Sequence, residues 1–404
     1  MFTTVFNENA LQRFFRSQST SDARICVVGI GGGGGNAINN MVRKGITGVD
    51  FIAVNTDSQV LASNKAGRRI QAGKEATGGL GAGARPEVGA DAVEESHEEI
   101  KRALEPYDMA FVTAGMGGGT GTGGAPVVAS MAREMGILTV GIVTRPFACE
   151  SPHRMQAAEQ GIAELRDHVD TLLVIPNERL LDLASERTSL VEAFRMADEV
   201  LYDATRGISD LITREGLVNL DFADVETTMK DGGTALLGMS SELTLRQHDG
   251  PRVRGGSPHS DVQGHTPSDT SRSRAEKAAI EAISSPLFDG RSIRGANKVV
   301  VNVTGGPSLS LREAMAATEV IQDEAGDACE VIFGAVIDEE MEGRFQVTVI
   351  ATGLDEQPGG AKPSDKRAVR ISADELKDRK TAASGDGASG DGTSEPAVLR
   401  ETQA

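Results

Sequence analysis

Residues Ala114-Gly-Met-Gly-Gly-Gly-Thr-Gly-Thr-Gly-Gly124 decide how this chain is to be read. Glycines without a β-carbon let successive backbone N–H groups converge on one anion, and Thr120 and Thr122 add hydroxyl donors. The apolar run Met109–Thr113 precedes the stretch, and Ala125–Arg133, with helical character, follows it. The glycines therefore occupy a strand-to-helix junction, where unpaired N–H groups and the helix dipole favour phosphate. A flexible linker has no reason to sit between a hydrophobic strand and a helix.

A second glycine turn lies upstream. Arg24–Val28 reads as a buried parallel strand and leads through Gly29-Ile-Gly-Gly-Gly-Gly-Gly-Asn36 into a helix expected over Ala37–Lys44. Gly29, Gly31 and Gly34 fit the dinucleotide pattern GxGxxG, and Asp57, after the strand Asp50–Val54, offers an acid where a ribose-binding one is expected. Those residues suit a nicotinamide-dependent oxidoreductase, yet they leave the Ala114–Gly124 turn without a role. The Walker pattern GxxxxGK[ST] is absent, because Gly73-Lys74 continues into Glu75 and lacks the metal-binding hydroxyl, which argues against an ordinary P-loop NTPase.

A chain of 404 residues with 39% hydrophobic content can build two cores and still carry polar tails. The net charge of −18 argues against a general nucleic-acid binder, which needs clustered Lys and Arg. Lysine is scarce relative to arginine, a balance that suits a high-salt cytoplasm where screening shortens charge repulsion. Cys26, Cys149 and Cys329 are odd in number and far apart, giving neither a zinc spacing nor a disulfide framework and pointing to the cytosol. No apolar run approaches the ~20 residues of a membrane helix, so direct membrane insertion is not expected.

Along the chain, residues 1–22 form a polar arm with Leu11, Phe14 and Phe15 at helical spacing, a partner-docking patch or a simple cap. Over residues 23–187 the strands Cys26–Val28, Phe51–Val54, Ala110–Thr113, Thr139–Val143 and Thr171–Ile175 alternate with helical segments, which predicts a parallel-sheet α/β nucleotide-binding domain. Residues 188–214 carry a three- and four-residue apolar stripe from Leu190 to Ile212 and read as one long helix. Residues 215–354 read as a smaller α+β domain, with helices Phe222–Lys230, Ala275–Ser284 and Glu313–Asp323 and strands Lys298–Val303, Glu330–Ile337 and Phe345–Ala351. The polar stretch Ser240–Arg274 is expected to be a disordered insertion, and residues 355–404 a flexible tether.

The two glycine turns occur in order with Val54-Asn-Thr-Asp57, Gly79-Leu-Gly-Ala-Gly83, Pro86-Glu-Val-Gly89, Thr144-Arg-Pro-Phe147, Arg154-Met155, Ile175-Pro-Asn177 and Asn219-Leu-Asp-Phe-Ala-Asp224. This series resembles the tubulin and FtsZ family, more nearly its prokaryotic cell-division branch and, with the arginine-rich acidic composition, a halophilic archaeal type. The resemblance runs from about Ala23 to about Leu354. It implies a tubulin/FtsZ-like α/β fold whose parallel-sheet nucleotide domain is joined by a central helix to the smaller α+β domain.

The same resemblance implies GTP/GDP as the ligand, with Mg2+ held mainly through phosphate oxygens and water. Gly32, Gly33, Gly34 and Gly35 would bring N–H groups to the phosphates, Asn36 would lie near guanine, and Gly119, Thr120 and Gly121 would hold the β- and γ-phosphates. Glu150 and Arg154 would stand beside ribose and phosphates, Asn177 would contact the nucleoside, and Phe194 would stack on the base. Asp198, one turn after Phe194, suits guanine, because a carboxylate accepts from N1–H and the exocyclic amine together. Nothing in the glycine turns can orient the attacking water. The resemblance assigns that role to Asn219, Asp221 and Asp224 of a neighbouring subunit, so that hydrolysis requires head-to-tail filaments. Helix capping is the plain alternative for one of these acids.

A cytoplasmic division ring at mid-cell follows from the resemblance, with other division proteins or a membrane adaptor reached through the tail near Glu395–Arg400. The alternative is a GTP-binding filament scaffold with little hydrolysis. Arg85 stands where the family commonly has Asn, and Cys149-Glu-Ser-Pro152 replaces a more usual Phe-Glu-Gly; both bear on rate and leave the named groups in place.

Overall fold

The computed structural model describes residues 23–184, 187–214, 216, 218, 220–240, 243–244 and 273–354. Strands β1 (Ile25–Ile30), β2 (Val49–Asn55), β3 (Arg68–Gln71), β4 (Met109–Gly115), β5 (Leu138–Arg145) and β6 (Thr171–Pro176) are all mutually parallel. β1 and β4 are continuous apolar runs because both of their faces are covered. The order β3-β2-β1-β4-β5-β6 reverses direction between β1 and β4, and that reversal is where open α/β sheets bind ligands.

Helices cover both faces. On one, α1 (Gly31–Lys44) and the long helix α6 (Leu190–Thr213) bury Ile38, Met41, Val200, Leu201, Ala204 and Ile208 against Val27, Phe111 and Val140. On the other, α2 (Pro86–Glu95), α3 (His97–Leu104), α4 (Thr120–Glu134) and α5 (Pro152–His168) close over Val28, Val112 and Val143. Ser189 and Glu192 form a reciprocal capping box that starts α6 where the apolar stripe begins.

The sheet continues through β7 (Gly233–Met239) into β11 (Arg344–Thr352), β9 (Lys298–Gly305) and β10 (Glu330–Ile337), with the two-residue β8 (Leu243–Thr244) beside β11. β9 and β10 are parallel, whereas β11 runs antiparallel to both β9 and β7. Helix α7 (Phe222–Met229) precedes β7, and α8 (Arg274–Ile283) and α9 (Leu311–Ala325) bury an alanine-rich face against Val299, Val301, Phe345 and Val347.

The first glycine turn differs from the sequence reading. α1 begins at Gly31, so the run Gly31–Asn36, expected to be a loop, forms the first turns of the helix. α4 likewise begins at Thr120, inside the second glycine run. Glycine is a poor helix former, and here tertiary packing overrides propensity: a β-carbon on Gly34 would collide with the Thr113 carbonyl and one on Gly123 with that of Pro86.

The expected insertion is also shorter than its assigned bounds. Ser240 is buried, donates its N–H to Val347 O at 2.9 Å and accepts the Val347 N–H on its hydroxyl at 2.9 Å. Ser273 caps α8, and the Arg274 guanidinium binds Glu313. Both ends of the stretch thus belong to the packed body. Residues 241–242 and 245–272, the arm 1–22 and the tether 355–404 lie outside the described residues. Among the described residues, no helix is long and apolar enough to cross a membrane.

Candidate functional site

The carboxyl ends of β1, β4 and β5 open into a cleft of about 260 Å3. Its floor is Gly33, Gly115, Met116 and Thr144, and its far wall comes from α6 through Phe194, Ala197, Asp198 and Leu201. Asn36, Pro146, Glu150, Arg154 and Asn177 complete it. Two helix amino-termini, those of α1 and α4, start beside this edge of the sheet. Neither has a side-chain cap, so their first N–H groups remain available to an anion.

The glycines divide into two kinds. Gly29, Gly34 and Gly123 let backbone segments touch, whereas a β-carbon on Gly32 or Gly118 would meet nothing within 4 Å. Gly32 and Gly118 therefore have open space beside them, with no packing contact that a β-carbon would disturb. Gly117 at φ 94° makes the sharp bend that the second turn requires.

Arg154 ties the mouth of the cleft together. Its Nη1 lies 2.7 Å from Glu150 Oε2 and its Nε donates to Gly117 O at 3.4 Å, while Glu150 Oε1 accepts the Phe147 N–H at 3.0 Å. Phe147 in turn meets Phe194 edge to face, with centroids 5.4 Å apart. Phe194 keeps 41% of its surface exposed, an aromatic face left for a stacking partner. Asn177 is 4% exposed, and its Oδ1 has no hydrogen-bond partner among the described residues. A buried acceptor of this kind calls for a donor from a ligand or water.

Burial pushes the Asp198 carboxyl up to about 6, and the nearby Arg43 charge offsets only part of that. A carboxylate destabilised in the empty cleft gains most from donors that arrive with a ligand. The Asp198 backbone carbonyl is held by Asn40 Nδ2 at 3.3 Å, which fixes this turn of α6 against α1.

The structure thus brings together Gly33, Asn36, Glu150, Arg154, Asn177, Phe194 and Asp198. Gly34 and Gly35 are buried in packing instead: Gly35 O accepts from Asn64 Nδ2 at 2.9 Å, and Gly34 lies against β4. Gly119 and Gly121 are buried in close backbone contacts, and the Thr120 hydroxyl sits 2.6 Å from that of Thr56. These three stand at the start of α4 and do not line the cleft walls. Asp57 is engaged elsewhere, since its carboxylate caps the turn Ser58–Ala62 through Gln59 N and Val60 N, which removes the ribose acid of the oxidoreductase reading.

Asp221 and Asp224 are exposed and far from this assembly. Asp221 is the N-cap of α7 and accepts the Asp224 N–H at 2.9 Å, while the helix ends with Met229 O bonded to Thr171 at the opposite, amino-terminal edge of β6. Asn219 lies outside the described residues. Sequence reasoning did not assign Gly115, Met116, Thr144, Pro146, Ala197 and Leu201 to the site. Ala197 and Leu201 belong to the apolar stripe and read as core; their spacing from Phe194 and Asp198 was the available signal.

The chain matches the model of the Tubulin/FtsZ family GTPase domain over residues 24–185 and that of the FtsZ family C-terminal domain over residues 264–355. It is 49% identical over 332 residues to the cell division protein FtsZ of Caulobacter vibrioides, covering 82% of this chain and 60% of that protein. It therefore spans about 60% of that relative's length. Among solved structures it is similar to an empty FtsZ dimer from M. jannaschii, with TM-score 0.74, 39% identity, and coverage of 86% of this chain and 92% of that one. A GTPγS-bound CetZ2 protofilament from Haloferax volcanii, at TM-score 0.61 and 23% identity over 82% of this chain and 94% of that one, shares the fold.

Proposed function

Because the chain belongs to the FtsZ family, we propose that it binds GTP in the cleft at the carboxyl ends of β1, β4 and β5, assembles head to tail and hydrolyses GTP at the junction between subunits. One observation carries this reading: among the described residues the two carboxylates of the cleft have other places, Glu150 held by Arg154 and the Phe147 N–H and Asp198 on the α6 wall one turn after Phe194, while Asp221 and Asp224 lie exposed on α7, outside the cleft. A head-to-tail contact would bring the cleft and these acids together and, being heterologous, propagates into a filament.

Within the cleft, the amino-termini of α1 and α4 would receive the phosphates, and Gly32 and Gly118 would let them approach the backbone. Phe194 would stack on the base, Asn177 Oδ1 would accept a nucleoside donor, and Asp198 would select guanine by accepting two of its N–H groups. Asp221 and Asp224 of the next subunit would hold the water in line with the γ-phosphate, with Asn219 beside them. Among the described residues, no group of three or more His, Cys, Asp or Glu is arranged to hold a metal. Mg2+ would be held by phosphate oxygens and water, where it neutralises charge developing on the phosphates.

In the cell the filaments would form a mid-cell ring in the cytoplasm and meet a membrane adaptor or other division proteins through the tail. The arginine-over-lysine acidic composition supports a halophilic, archaeal setting. The decisive experiment measures phosphate release per molecule against protein concentration. A steep rise above a threshold is expected; a constant rate per molecule down to dilutions without filaments would overturn the shared site.

A further inference from the structure

The sheet has a seam. β6 and β7 pair only over Thr171–Leu173 with Gly233–Ala235; beyond that, Val174–Pro176 pair with β5 alone and Leu236–Met239 pair with β11. The two strands diverge like a wedge, and on the face of α5 the opening is a cavity of about 170 Å3. Its floor is apolar, formed by Val174, Leu236 and the 3-10 turn Pro286–Phe288, with Ile162 of α5 alongside.

The walls carry an uncommon charge balance for an acidic chain. Arg145, Arg166 and Arg291 face the opening with Glu159 and Asp289. Asp289 is already taken by Arg179, whose Nε donates to it at 2.7 Å. Arg145 Nε is shielded from solvent and lies 3.0 Å from Glu159 Oε1, but off the line of its N–H, so the donor makes no hydrogen bond. A buried guanidinium N–H without an acceptor, an exposed Arg291 and an apolar floor together define what would fit.

We propose that this wedge is a second ligand site, distinct from the nucleotide cleft, which takes a small organic anion: a carboxylate or phosphate on an apolar body. A cavity of about 150 Å3 accepts benzene, so the body is of that size. The anionic group meets the guanidinium fork of Arg291 and the Arg145 Nε–H, which pairs with Glu159 by charge but makes no hydrogen bond to it, and the body rests on Leu287 and Phe288. Such a ligand bridges α5 and β6 to β7 and the turn that follows α8, tying the two sides of the seam.

The test uses the full chain with GDP in excess, and titrates benzoate and phenyl phosphate with inorganic phosphate and benzyl alcohol as controls. Binding of either aryl anion should protect amides of Thr234–Leu236 and Leu287–Arg291 from hydrogen exchange and should be at least about tenfold tighter than either control. Arg291→Glu should abolish it by charge, and Ala163→Trp, on the exposed surface of α5, should block it by bulk with the fold unchanged by circular dichroism. The proposal is overturned if neither aryl anion binds at millimolar concentration, if a control binds equally well, if protection falls elsewhere, or if both variants bind like the parent.

Discussion

The nucleotide cleft and the acid pair of α7 are built on opposite terms. In the cleft, buried groups wait for partners: Asn177 Oδ1 has none among the described residues, and burial raises the Asp198 carboxyl. At α7 both acids are exposed; Asp221 accepts the Asp224 N–H, and among the described residues neither carboxylate is in an ion pair. The first region is prepared to bind and the second to be presented. A protein organised this way separates affinity from turnover, and the two can be broken independently.

The largest effect follows from that separation. Asp221→Asn keeps an N-cap, because Asn caps a helix as well as Asp does, and removes only the charge. Turnover in assembled protein should fall roughly 10²–10³-fold while GTP affinity and thermal stability stay as in the parent. Asp221→Ala should lose the same activity and about 1 kcal/mol of stability besides. If Asp221→Asn turns over normally, the acid is a cap and nothing more.

Next in size is a contrast inside one glycine turn. Gly34→Ala drives a β-carbon into the Thr113 carbonyl and should cost about 3 kcal/mol, read as a clear drop in melting temperature. Gly32→Ala meets nothing in the protein and should leave stability equal or slightly higher, yet weaken GTP binding severalfold. Equal loss of affinity without loss of stability in both variants would erase the distinction between packing and cradle glycines.

That contrast also marks what the sequence could and could not reveal. β1, β4 and β5 were legible as apolar runs, and α6 as a three- and four-residue stripe from Leu190 onward, since burial on two faces or one leaves a pattern in the residues themselves. The start of α1 at Gly31 was not, because local propensity opposes a helix there and only the approach of β4 permits it. Phe194 and Asp198 were found through a family resemblance, while Ala197 and Leu201 of the same wall passed as core. The β6–β7 seam was invisible, as strand divergence depends on which neighbour each half of β7 pairs with and not on its own residues.

A smaller effect tests the cleft by pH. With Asp198 near 6 in the empty protein, guanine binding, which needs the carboxylate, should weaken as pH falls through 6, by up to about tenfold per unit. Stability of the empty fold moves the other way. A carboxyl raised in the folded state binds its proton before the unfolded chain does, so the fold gains as pH drops from 7 through 6, and the gain saturates near the unfolded value of 3.8. Asp198→Asn should flatten both dependences and erode preference for guanine over adenine nucleotides. A pH-independent affinity between 5 and 7 in the parent would remove Asp198 from base recognition.

The smallest effect is the most specific. Asn177 Oδ1 makes no hydrogen bond among the described residues, so Asn177→Ala removes an acceptor without breaking any protein contact of that atom. One hydrogen bond is worth about 1 kcal/mol, so GTP and GDP should both bind about fivefold more weakly, with the GTP:GDP ratio unchanged because the contact is to the nucleoside and not the phosphates. A change in that ratio would move Asn177 to the phosphate end of the cleft, and no change in either affinity would mean that water already satisfies the acceptor.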